Sequence, residues 1–386
     1  LCAKKIQKTK SHSLKIAVNT RHITPQGYDG IGRFTFEIFK RLAAQHPEHE
    51  FVFLFDRPFD KKYITSANIT GKILYPPTKH ALLIKWWYHF SLTCYLYFNK
   101  PDVFVSTDGL LSKFTQTPQL AIIHDLNFLH VPDTESNYTH FFKKFYASSA
   151  AIATRIATVS NFSKNDIVKQ YGIPSENIDV VYNASADFYK PLESQQQQQV
   201  RSKYTNGNPY FIFVGSLHKR KNVIRLLQAF DAFSNSNNNY NLVIAGNLRW
   251  ASDEIKNVHQ NMMHQNKVVF TNRISDKQLH QLLASAKALV YPSLFEGFGI
   301  PIIEAFACQV PVVAGNNSAM PEIAGNAALL IDATDANAIT NAMLQIATDN
   351  LLCNYLIEAG NHQIQKFNWD MSAQAMWQSI LKTIKQ

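Results

Sequence analysis

Two carboxylates and two cations are spaced for work on a polar, anionic ligand. In the stretch Ser293-Leu-Phe-Glu-Gly-Phe-Gly-Ile-Pro-Ile-Ile-Glu304, Glu296 and Glu304 stand eight residues apart around a Gly-Phe-Gly turn. Lys287–Tyr291 reads as a buried strand, and Pro301 suits the start of a helix, where its missing N–H needs no partner. The spacing therefore predicts Glu296 in the loop leaving a strand and Glu304 in the first turn of a helix. Unpaired backbone N–H groups and a positive dipole end at such a helix start favour a phosphate or a polar sugar. Gly297 and Gly299 would let the backbone approach that ligand with no Cβ between them. Upstream, Gly215-Ser-Leu-His-Lys-Arg-Lys-Asn222 follows an apolar run and opens a second helix, so Arg220 and Lys221 would project from a loop toward whatever the acids hold.

Positioning these loops requires strands that alternate with helices, and the pattern runs through the whole chain. Predicted strands are Leu14–Val18, Glu50–Phe55, Val103–Ser106, Gln119–Ile123 and Ile156–Val159, then Tyr210–Val214, Asn241–Ala245, Lys267–Phe270, Ala288–Tyr291, Val312–Ala314 and Ala328–Ile331. Predicted helices are Ile31–Gln45, Ala81–Phe98, Tyr138–Thr154, Ser163–Tyr171, Val223–Phe233, Asp276–Ala284, Pro301–Cys308 and Asp335–Thr348. Such alternation implies parallel sheets with crossover helices. A length of 386 residues suits two domains. The junction is expected near Asn183–Val200, where the run Gln195–Gln199 suits an exposed loop or a helix start. The expected division is 14–183, 184–365, and a terminal helical segment over 366–386.

Composition narrows the class. The apolar fraction of 46% is ordinary for a globular protein. The four cysteines (Cys2, Cys94, Cys308, Cys353) show no metal spacing; Cys94 and Cys308 read as buried thiols, and the usage fits a reducing cytoplasm. Of the net charge of +10, residues 1–183 supply most, with 22 Lys and Arg against 14 Asp and Glu. That excess fits either attraction to an anionic membrane surface or acceptor, or simply solvated lysines. No basic-aromatic nucleic-acid motif is present, so nucleic acid is not an expected partner. No run of eighteen apolar residues occurs. Ala81–Phe98 is rich in aromatics; core packing is the expectation for them, with a membrane interface or a lipid-linked ligand as the alternative. The first thirteen residues are polar and basic and read as a disordered leader rather than a secretory signal.

The run Ser293–Ala314 resembles the Glu-x7-Glu motif of retaining glycosyltransferases of family 4, which have the GT-B fold. The resemblance extends from about Lys15 to Ile384 and has a mannosyltransferase-like cast in its Arg-Lys-Asn loop. It implies an α/β architecture of two doubly wound Rossmann-like domains facing across a cleft, with ligands beyond the carboxyl ends of the strands. It implies that Glu304 holds the ribose, and that Glu296, Phe298 and Gly299 hold the donor sugar. Arg220 and Lys221 would stabilise a departing diphosphate, as charge-assisted donors do. Ser216 stands where the commoner pattern has Arg, so Arg220 must supply that guanidinium. Gly215, and Gly30 and Gly32 of Asp29-Gly-Ile-Gly-Arg33, would face the donor diphosphate, although Asp29 replaces the first Gly of the usual loop. His124 of His124-Asp125 would lie near the transferred sugar, or else be a satisfied core or capping histidine. Ser160-Asn-Phe-Ser163 and Val181-Tyr-Asn183 also match; Ser163 reads as an N-cap.

The expected activity is retaining transfer of a hexose, GDP-mannose being the first candidate donor, to a glycan or lipid-linked acceptor in polysaccharide or lipopolysaccharide assembly. No metal or other cofactor is expected: the chain has no Asp-x-Asp, and the two cations can take a metal's place. The expected setting is the cytoplasm, with peripheral contact between the basic first half and the inner face of the membrane. Competing readings are a sugar-nucleotide epimerase, a phosphorylase using pyridoxal phosphate, and a non-catalytic nucleotide-sugar binding protein.

Overall fold

The computed structural model describes residues 13–25, 27–131, 137–246, 252–272 and 274–385. The leader read over the first thirteen residues lies outside the described residues except for Ser13, as does Cys2.

Among the described residues, two parallel sheets are formed. The first contains seven strands in the order Ile69–Ile73, Glu50–Phe55, Lys15–Asn19, Val103–Ser106, Gln119–Ile122, Arg155–Thr158, Ile178–Val180. The second contains six, in the order Val268–Phe270, Asn241–Ala245, Tyr210–Val214, Ala288–Tyr291, Val312–Gly315, Ala328–Ile331. The runs Phe51–Phe55 in the first sheet (Phe-Val-Phe-Leu-Phe) and Tyr210–Val214 in the second (Tyr-Phe-Ile-Phe-Val) are apolar and buried, because helices cover both faces. In each sheet the strand order reverses beside the first strand of that lobe, which opens a crevice at the carboxyl ends. The two crevices face each other.

The chain passes from the first lobe to the second after Val180 and returns near Asn368. Its last helix, Trp369–Ile384, packs on the helix Gly30–Gln45 and on strands of the first sheet. The two crossings touch: Ser372 Oγ donates to the Tyr182 carbonyl (2.7 Å) and Trp369 Nε1 to that of Ser185 (2.9 Å).

The Gln run opens the helix Ser194–Thr205, one of its two expected states, capped by a reciprocal Glu193–Gln196 box. Several other local expectations needed correction. Helix Asn161–Tyr171 is capped by Ser160, whose hydroxyl accepts from the Ser163 amide, so Ser163 is the third helical residue and not the cap. The edge strands Ile69–Ile73 and Ile178–Val180 and the helices Asp253–Gln260 and Asn350–Gln363 add to the expected set. Ala81–Asn99 is helical, with a π turn at Trp87–Leu92, and its aromatics divide: Trp87, Tyr88 and Tyr95 are core, while Trp86, Phe90, Tyr97 and Phe98 are exposed. Cys308 and Cys353 are buried, but Cys94 is only partly so. No helix among the described residues is long and apolar enough to cross a membrane.

Candidate active site

The loop Lys219–Lys221 leaves strand Tyr210–Val214 as a single 3-10 turn and is tied down by the residue after it. Asn222 has φ of +59°, a left-handed conformation that Asn tolerates better than most residues. Its side-chain amide donates to the carbonyls of Pro292 (3.1 Å) and Ala333 (2.5 Å), and the Leu294 amide donates to the Arg220 carbonyl (2.7 Å). The cation loop and the Glu296 loop are thus one unit.

Within it, Glu296 Oε1 accepts from Arg220 (2.9 Å), Lys221 (2.6 Å) and the Ser293 hydroxyl. Arg220 also donates to the Phe295 carbonyl (3.0 Å). Lys221 lies against Tyr291, its ammonium 4.9 Å from the ring centroid. Burial alone would raise the Glu296 carboxyl; Lys221 and Arg220 overcome it and hold the group at about 2. Burial pushes the Lys221 ammonium down, Glu296 opposes, and the neighbouring guanidinium adds to the lowering. Glu296 thus holds the two basic groups together at one point.

These residues line a cavity of about 550 Å³ between the lobes. From the second lobe it receives Gly215, Arg220, Lys221, Glu296, Phe298, Gly299 and Glu304; from the first, Gly30 and His124. Gly299, with φ of +98°, precedes helix Ile300–Ala307. Glu304 is the fifth residue of that helix, one residue deeper than its expected place in the first turn, because the helix starts at Ile300. It is 6% exposed. Burial lifts its carboxyl to about 7, with Arg33 and a hydrogen bond from Tyr189 only partly opposing the rise.

Gly32 does something other than expected, while Gly297 lines the cavity as expected and also meets the opposite lobe. Gly32 does not line the cavity: a Cβ there would lie 2.4 Å from the His22 carbonyl, and its amide donates to Asp29 (2.8 Å) as part of a helix cap. Gly297 faces the opposite lobe, where a Cβ would come within 2.4 Å of the His124 carbonyl. Asp29, which stands in place of the first Gly of the usual loop, caps the helix Gly30–Gln45.

His124 Nε2 lies 3.0 Å from the Thr107 carbonyl. A carbonyl only accepts, so Nε2 carries the proton, and burial, which lowers the ring's pKa, keeps the imidazole neutral. Nδ1 is then an acceptor. Arg33, not singled out in the sequence, reaches across the lobes to Asp276 (2.8 Å) and to within 3.9 Å of Glu304. A second interlobe contact joins Glu322 to the start of helix Asn161–Tyr171: its carboxylate accepts from the amides of Asn161 and Phe162 (both 2.8 Å) and from the Tyr182 hydroxyl (3.0 Å). Ser160 Oγ donates to the Gly297 carbonyl (2.7 Å) beside it.

A wider groove of about 810 Å³ adjoins the cleft and is lined by Tyr28, Phe36, Tyr63, Ile274 and Asp276. It lacks the convergent cations and acids of the smaller cavity, which is where the chemistry belongs. Among the described residues, His46, Glu48 and His49 could converge on a metal ion. They sit at the opposite, amino-terminal edge of the first sheet, and His49 Nδ1 accepts from the Leu14 amide (3.2 Å), which leaves Nε2 protonated and unable to ligate.

Residues 28–184 match the family model Glycosyltransferase Family 4, and residues 194–363 match Glycosyl transferases group 1. The chain is a GT-B glycosyltransferase of family 4. It is 27% identical over 353 residues to O-antigen chain mannosyltransferase B of Escherichia coli, spanning 88% of this chain and 93% of that protein. This glycosyltransferase shares its fold with sucrose-phosphate synthase from Thermosynechococcus elongatus (TM-score 0.76, 18% identity, 95% of this chain and 98% of that one). It is also similar to Anabaena HepE, solved with UDP-glucose (TM-score 0.73, 17% identity, 95% and 98% coverage).

Proposed function

We propose that this glycosyltransferase moves a hexose from a nucleoside diphosphate to a hydroxyl of a glycan or lipid-linked acceptor, with retention at the anomeric carbon and without a divalent metal. The observation that carries the reading is the meeting of Arg220 and Lys221 on Glu296 in the interlobe cavity. The two basic side chains are held in place before any ligand arrives, and such preorganised donors are what a departing diphosphate needs. The first-candidate donor is GDP-mannose, supported by the likeness to an O-antigen chain mannosyltransferase, and O-antigen or lipopolysaccharide assembly is the proposed setting. HepE, a protein of like fold, was solved with UDP-glucose, and thermal shifts with GDP and UDP test which base this cleft takes. The proposed place is the cytoplasm, at the inner face of the membrane.

In the proposed reaction the bond from the anomeric carbon to the diphosphate breaks, and the acceptor oxygen bonds to that carbon on the same face. The acceptor's proton passes to the departing phosphate oxygen. Arg220 and Lys221 take up the charge that collects on the diphosphate, with Gly215 and Gly30 leaving room for it. Glu296, Phe298 and Gly299 orient the sugar, His124 Nδ1 accepts from one of its hydroxyls, and Glu304 accepts from the ribose.

Arg220→Ala and Lys221→Ala are each expected to lower kcat by roughly 10²- to 10³-fold, the loss seen when one fixed donor to a developing anion is removed. Turnover should survive EDTA, and the anomeric coupling constants of donor and product should agree by NMR. Near-normal turnover in both variants, or a strict metal requirement, would end the proposal; product formed from the donor alone would point to an epimerase.

A further inference from the structure

Arg33 is the fourth residue of helix Gly30–Gln45 in the first lobe, yet both carboxylates that it meets belong to the second. Its guanidinium donates to Asp276 (2.8 Å) and stands 3.9 Å from Glu304 Oε1. Its central carbon lies 5.8 Å from the ring centroids of Tyr28 and of Phe188. The side chain is 16% exposed. One largely desolvated cation, held between two rings, is therefore shared by two acids.

The two acids differ in what they need. Asp276 opens the helix Asp276–Ala284, and its side chain is 62% exposed, so water solvates its charge. The Glu304 side chain is 8% exposed. The titratable and charged groups that face it are Arg33, Asp276, Tyr189, Tyr291 and Cys308. Tyr189 donates a hydrogen bond, Asp276 repels, and Arg33 is the cation of the set. An opposite charge at this range acts strongly where water is scarce. The Glu304 carboxyl stands at about 7, so the form that the cleft holds near neutrality turns on how Arg33 divides itself between the two acids.

We propose that Arg33 is a positioning residue for the donor nucleotide, acting through Glu304, and that Asp276 competes with Glu304 for it. The inference rests on the reading that Glu304 accepts from the ribose. Ionised, the carboxylate offers both oxygens to the two ribose hydroxyls; protonated, it spends one oxygen as a donor. Arg33 favours the first form. It does not line the donor cavity, so its effect reaches the nucleotide through Glu304. Asp276 weakens that support twice, by its own negative charge and by taking the guanidinium's direct bond.

The test is a titration by NMR of protein isotope-labelled at its glutamate carboxyls, the Glu304 signal being the one absent from Glu304→Gln. Arg33→Met should raise the Glu304 midpoint by about one pH unit or more, Arg33→Lys should return it most of the way, and Asp276→Asn should lower it. The opposite signs are the signature, since damage to the fold would not move one carboxyl in two directions. Thermal unfolding shows that the variants fold. Calorimetry with GDP and with UDP should follow the midpoints. At pH 7 the better-bound nucleotide should lose about fivefold in affinity in Arg33→Met, and the deficit should close by about pH 9, where both proteins hold Glu304 ionised. A Glu304 midpoint unmoved in Arg33→Met, or raised rather than lowered in Asp276→Asn, overturns the inference. Shifted midpoints with an affinity that ignores both Arg33→Met and Glu304→Gln overturn it as well, and place the fault in the ribose reading rather than in the pairing of Arg33 with Glu304.

Discussion

A carboxyl group held at about 7 changes charge close to neutrality, and Glu304 is such a group. Its folded value lies above the ordinary 4.5, so the folded chain holds a proton between about pH 4.5 and pH 7 that the unfolded chain has lost. Stability linked to Glu304 is therefore present at low pH and drains away as pH rises through 7. Glu304→Gln should stabilise the ligand-free protein by up to about 3 kcal/mol at pH 8 and by little at pH 5, read as the change in Tm. The proposed ribose contact needs the ionised form. Nucleotide affinity, measured by calorimetry, should rise between pH 6 and pH 8 more steeply in wild type than in Glu304→Gln; parallel profiles would remove Glu304 from that role. Glu296 has the opposite sign. Held at about 2, it contributes stability above pH 4.5 that is lost only as the solution is acidified toward 2.

At the scale of elements, the site depends on a turn and a strand end that share hydrogen bonds. Asn222→Gly keeps the left-handed backbone accessible while deleting two buried side-chain bonds, so it should cost about 1–3 kcal/mol in a denaturant titration and lower kcat with Arg220 and Lys221 untouched. A variant as stable and active as wild type would show that the loop holds its own shape. This unit was largely legible in the sequence, because strand, loop and helix start fall within a dozen residues and each carries its own turn chemistry. What lay beyond reading was non-local or locally degenerate. Arg33 meets Glu304 only after both lobes have folded, so no spacing could pair them. Ser160 and Ser163 are each followed by helix-compatible residues, and only the observed bond to the Ser163 amide selects the first as cap. Ile69–Ile73 is a partly exposed edge strand interrupted by Gly71, with too little apolar alternation to stand out. The depth of Glu304 was misjudged because Pro301 is accepted at the second helical position as well as the first.

Across the whole molecule, the lobes meet at a few strong points. Glu322 caps the first-lobe helix Asn161–Tyr171, Ser160 and Gly297 touch, and Arg33 reaches Asp276. Gly297→Ala would drive a Cβ into the His124 carbonyl, and Glu322→Ala would remove four hydrogen bonds, three of them from groups of Asn161 and Phe162 and one from Tyr182. Both should open the cleft, raising the radius of gyration in solution scattering and weakening turnover at low donor concentration, while each lobe keeps its own fold. Unchanged scattering in both would mean that other contacts hold the lobes closed.

The paired chain crossings between the lobes constrain how any such opening can occur. Because the outgoing segment at Tyr182–Ser185 and the returning one at Trp369–Ser372 are bonded side by side, they act like two pins of one hinge. The lobes should swing about a single axis through that seam, as a book turns on its spine, and sliding or wobbling motions that would spoil the alignment of sugar and acceptor are suppressed by the covalent path itself.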